Sequence, residues 1–83
     1  MHDAIQDECM AIAHMLQQKN AAYGNSALDP VRIFSKASTM EQLLVRADDK
    51  INRIKNQSPD DLEDSIADLI GYLILIRIAR RTA

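Results

Sequence analysis

The stretch SPDDLEDSIADLIGYLILIRIARR, residues 58–81, decides the fold. Ser58 is a helix cap, Pro59 suits a first helical position, and Asp60, Asp61 and Glu63 set negative charge at the positive end of the helix dipole. Arg77, Arg80 and Arg81 suit the opposite end, so a helix is predicted from Pro59 to about Arg80. At 100° per residue, Leu62, Ile66, Leu69, Ile70, Leu73 and Ile74 fall on one apolar face. Gly71, Leu75, Ile78 and Ala79 fall on the other side, and the C-terminal half is apolar nearly all round. Such a helix is buried on more than one side. Two shorter helices cannot cover it, so the expectation is a homo-oligomer with helix 59–80 at the interface, unless residues 25–37 fold over the open side.

Working outward, two more helices are legible. Ser38-Thr39-Met40-Glu41 matches a capping box, and Met40, Leu43, Leu44, Ala47, Ile51 and Ile54 form one stripe of a helix over about 38–56. Near the start of the chain Asp3 is expected as the N-cap with Gln6 three residues on. Ile5, Cys9, Ile12, Leu16 and Tyr23 then mark a helix over about 3–22, ended by Gly24. Between these lies a connector in which Asp29-Pro30 suggests a short helical turn near 30–34, with Phe34 expected to plug one end of the core. Nothing reads as a strand. The fold class is all-α, a three-helix protomer in which residues 1–83 form a single domain.

Composition narrows the partners. Ten Lys and Arg against twelve Asp and Glu leave a net charge of −2, which argues against a nucleic-acid backbone binder. A single cysteine excludes an intrachain disulfide, and Cys9, His2 and His14 are too few for a zinc site. The longest greasy run, Leu69 to Ile76, is too short to span a bilayer. Met1 to Asp7 does not resemble a signal peptide. The expected compartment is the cytoplasm, and the expected partners exclude membranes and nucleic acid. So small a chain buries a thin core and needs association, or a hard cation held by carboxylates, to support it.

Three constellations carry candidate chemistry. Asp61, Asp64 and Asp68 share one line of the last helix; the first turn explains acids by the dipole, but Asp68 lies about two and a half turns in. A carboxylate there stands where the surface turns apolar and needs a cation, metal or basic side chain. Arg46, Asp49, Lys50 and Arg53, at i, i+3, i+4, i+7, either hold phosphates with Asp49 assisting a metal, or form a ladder of surface ion pairs. Lys19 with Tyr23, Gly24, Asn25 and Ser26 gathers a cation, an aromatic and a polar break, suited to phosphate, sugar and base or else to a plain helix end. His14 reads as solvated, and Met10, Met15 and Met40 as core or interface filler.

Taken together, Lys19 with Tyr23-Gly24-Asn25-Ser26, Arg46-x-x-Asp49-Lys50-x-x-Arg53, and Glu63-Asp64-Ser65-x-x-Asp68-Leu69-x-x-Tyr72 resemble the phage and bacterial nucleotide-modification-associated domain, a small all-helical family. Its members look like relatives of the MazG-like all-α nucleoside triphosphate pyrophosphohydrolases. The resemblance implies a nucleotide ligand and Mg²⁺. It implies Asp64 and Asp68 as catalytic metal ligands with Asp49 as a third, and Lys19, Arg46, Lys50 and Arg53 facing phosphates. Tyr23, Asn25 and Ser26 would lie near sugar or base. The pyrophosphohydrolases carry paired glutamates on their first helix, where this chain has Asp7-Glu8 followed by Met10 and Ala11. The leading expectation is a Mg²⁺-dependent nucleoside triphosphate pyrophosphohydrolase; the alternatives are a phage-type protein that sequesters a nucleotide or cyclic nucleotide without turnover, and then a helical adaptor.

Overall fold

A computed structural model describes residues 1–24, 26–28, 33–56 and 59–82, with the backbone alone described at 59–61 and 82. It contains α1 (His2–Ala22), α2 (Thr39–Asn56) and α3 (Pro59–Thr82). No strand occurs among the described residues. None of the described helices is long and apolar enough to cross a membrane.

The capping box before α2 forms at its serine. Ser38 Oγ accepts a hydrogen bond from the Glu41 backbone N–H at 3.1 Å, meeting one of the donors that a helix start leaves unpaired. Leu43 and Ala47 of the expected stripe are buried. Only residues 57 and 58 separate α2 from α3, so the two helices form an antiparallel hairpin, and this is the main packing of the molecule. Ser65 and Ala79 are buried on α3, small side chains that let two helices approach closely.

α1 meets the hairpin on α3. A Cβ at position 71 would stand 2.8 Å from Leu16 Cδ2, so the close approach of the two helices depends on Gly71 having none. Away from that crossing the helix is open: residues 1–11 are exposed, and Ile12 is the one buried member of the predicted stripe. The helix starts earlier than the sequence suggests. Its N-cap is Met1, without a side-chain cap, and the Met1 carbonyl accepts from Ile5 N–H at 3.0 Å. Asp3 is thus inside the first turn, where its charge faces the helix dipole rather than capping it. At the other end Gly24 takes a φ of +70°, the left-handed conformation expected of a glycine after a helix.

Two expectations for the connector need comment. The short turn near 30–34 falls largely outside the described residues. Phe34 does not plug the core: it is 96% exposed, because the chain around it forms an open bend and brings no apolar partner to the ring. Among the described residues the buried apolar set is accordingly small, Ile12, Leu43, Ala47 and Ala79.

Candidate functional site

The site is built where α1 ends against the α2–α3 hairpin. Lys19 is one turn beyond Leu16 on α1, and Asp68 one turn before Gly71 on α3, so the contact that sets the helix spacing also sets these two charges together. Lys19 Nζ donates to Asp68 Oδ1 at 2.9 Å. From α2, Lys50 Nζ lies 3.1 Å from Asp68 Oδ2. One carboxylate therefore ties all three helices, each oxygen facing a different ammonium. Partial burial pushes the Asp68 carboxyl up. The hydrogen bonds and charges of Lys19 and Lys50 outweigh that and leave it below the ordinary carboxylate range. The hydrogen bond to Asp68 likewise raises Lys19 against the opposing effect of burial.

Around this cluster is a cavity of about 620 Å³. Among the described residues its cationic lining is Lys19, Arg46 and Lys50, set against Asp68 as the one acid; Tyr23 and Tyr72 supply aromatic surface, and Ser26 also lines it. Tyr23 is 75% exposed, which leaves its ring free to stack rather than packed in the core. The wall near the α1 terminus is held by its own side chains. Asn20 Oδ1 accepts from Ala27 N–H at 3.0 Å, and Ser26 Oγ donates to the Tyr23 carbonyl at 2.7 Å. Across the cavity Gln42 Nε2 donates to the Ala37 carbonyl at 3.0 Å. These bonds fix Ser26 and Ala27 against the end of α1 and Ala37 against the start of α2.

The residues singled out from sequence divide clearly. Lys19, Tyr23, Ser26, Arg46, Lys50 and Asp68 line one cavity. Asp49 and Arg53 do not line it; they pair with each other at 3.2 Å along the exposed flank of α2, as a surface ladder does. Asp64 is exposed and also off the lining, since α1 ends at Ala22 and does not continue over it. Asn25 lies outside the described residues. Asn20, Gln42 and Tyr72 join the lining without having been singled out as site residues. Tyr72 had a usable signal, four residues after Asp68 on the same line of α3. Asn20 and Gln42 had none, because their role depends on where the connector runs.

The donor set bears on Mg²⁺. Both Asp68 oxygens accept from lysines, and Asp49 and Asp64 stand apart from it. Among the described residues no group of three His, Cys, Asp or Glu side chains comes together to hold a metal. Among the described residues, Asp49, Asp64 and Asp68 therefore do not converge on one point where the protein alone would hold a divalent cation. The described part of the cavity lining carries three cations and one acid, which suits an anion. No protein-family model matches the chain, and no curated protein or solved structure matches it either.

Proposed function

We propose that the protein binds a phosphate-bearing small molecule, a nucleotide by the resemblance of its three motifs, in the cavity between α1 and the hairpin, and holds it without turnover. The observation that carries this reading is the pair of lysines on Asp68. An ammonium has three N–H donors, and each lysine spends one on the aspartate. The rest remain for a ligand, and the shared carboxylate holds both side chains in place before the ligand arrives, which lowers the entropy cost of binding. Arg46 adds a planar donor fork suited to phosphate oxygens. The cavity volume of about 620 Å³ lies within the range of roughly 300–1,000 Å³ usual for small-molecule sites. Tyr23 and Tyr72 offer faces for a base.

Sequestration is favoured over pyrophosphohydrolysis by the carboxylates. A metal-assisted attack on a phosphoanhydride needs acids converging on one cation, and Asp49, Asp64 and Asp68 are dispersed over three settings. The test is calorimetric titration of nucleoside mono-, di- and triphosphates and cyclic nucleotides, with and without Mg²⁺, followed by chromatography of the recovered ligand. Binding of at least one nucleotide, returned intact, is expected. Release of pyrophosphate would establish the enzyme reading instead, and absence of any phosphate-ligand binding would leave the charged cluster a structural tie.

A further inference from the structure

α1 packs on the front of the α2–α3 hairpin through α3, and no described element packs on the back. On α2, Leu44 and Ile51 lie roughly 140–160° around the helix from cavity-lining Arg46. On α3, Ile66, Ile70 and Leu73 lie a similar distance around from cavity-lining Leu75 or Asp68. These five side chains are 40–53% exposed, and apolar residues left open at helical spacing along both helices of one hairpin are suited to contact with another surface. A folded monomer of 9.3 kDa is expected to expose roughly 5,000 Å², whereas this chain exposes 6606 Å²; the open half of α1 and Phe34 account for part of that excess, and the back of the hairpin for another part.

The charges on α3 specify the occupant. Glu63 and Arg77 are both exposed, and they stand seven residues before and seven after Ile70, so all three share one face of the helix. A twofold axis through Ile70 sets Glu63 against the partner's Arg77, and symmetry repeats the pair. A parallel arrangement would set like charge against like. We infer that two copies of this chain dock back to back and antiparallel through Leu44, Ile51, Ile66, Ile70 and Leu73, closing a four-helix bundle from two hairpins with Glu63 facing the partner's Arg77. The cavity is on the front of each hairpin and stays open in this dimer, so the inference does not rest on the proposed ligand.

Sedimentation equilibrium of the full chain, with circular dichroism of each variant, tests it. Wild type should sediment at twice the chain mass. Ile70→Glu, which sets two carboxylates across the axis, should give a helical monomer. Because an apolar-to-charged change risks the fold, the exposed pair supplies a second arm. Glu63→Arg and Arg77→Glu should each weaken the dimer by roughly tenfold or more by placing like charges together, and the double variant should restore it. A monomeric wild type, whose bare face then belongs to another protein or a lipid surface, overturns the inference. So does a dimer indifferent to Ile70→Glu, or a double variant no tighter than the singles.

Discussion

Lys50 and Asp68 join α2 to α3 through a 3.1 Å ion pair in which only 16% of the lysine side chain and 21% of the aspartate side chain remain exposed. Pairs so placed are worth more than surface bridges, because water screens them less and because removing one partner strands the other. Lys19, on the same carboxylate, is 54% exposed and contributes less to stability.

Asp68→Asn should lower stability at neutral pH by about 1–2 kcal/mol, toward the low end for a partly buried pair since both lysines reach water. The pH dependence identifies the cause. The folded-state carboxyl titrates below its ordinary value, so its contribution is full above about pH 4 and is lost as pH falls through the lowered value. Thermal melts from pH 7 downward should show the wild type and Asp68→Asn converging in acid. Melting curves that stay parallel across that range would mean the aspartate stabilises by packing and not by charge.

Gly71→Ala probes the crossing that places Lys19. The added methyl would stand 2.8 Å from Leu16 Cδ2 and 3.6 Å from Met15 Cε, so Leu16 must rotate or α1 must move. Overpacking costs about 1–3 kcal/mol, offset in part by alanine's better helix propensity of about 1 kcal/mol. The net expectation is a modest loss of stability with a larger loss of ligand affinity, because α1 carries Lys19 away from Asp68. In a double-mutant cycle with Leu16→Ala the two changes should fall short of additive. Strict additivity would show that residues 16 and 71 do not share the contact.

The three helices were legible because each is announced by its own residues: Pro59 and its acids for α3, Ser38 and Glu41 for α2, Gly24 after α1. Asp68 was legible for a similar reason, an acid placed too deep in a helix for the dipole to explain. The exposure of Phe34 and of Asp64 was not legible, and for the same physical reason. Apolarity and helical register describe what a side chain prefers or which line it shares, whereas burial depends on what the rest of the chain brings over it, and neither residue has such cover. Asp49 and Arg53 show the limit of periodicity: a stripe beside an apolar face can turn inward, as Arg46 and Lys50 do, or pair along the surface. Only the position of the neighbouring helix separates the two.

That division gives a prediction with an internal control. Arg46 lines the cavity and has no ion-pair partner among the described residues, so Arg46→Ala should leave the melting temperature nearly unchanged. It should weaken nucleotide binding by about tenfold or more, as loss of a charge-assisted hydrogen bond to phosphate does. Arg53 is equally cationic and on the same helix, but it pairs with Asp49 off the lining, so Arg53→Ala should change neither quantity appreciably. Lys50→Ala should reduce both, since it removes a phosphate donor and half of the support for Asp68. The chain has no tryptophan and only two tyrosines, Tyr23 and Tyr72, and both line the cavity. Tyrosine fluorescence is therefore a direct readout, and a stacking base should quench it in wild type and in Arg53→Ala at similar ligand concentrations. Equal weakening by Arg46→Ala and Arg53→Ala would mean the ligand feels the field of the whole helix rather than this cavity, and the site would then have to be placed on the exposed flank of α2.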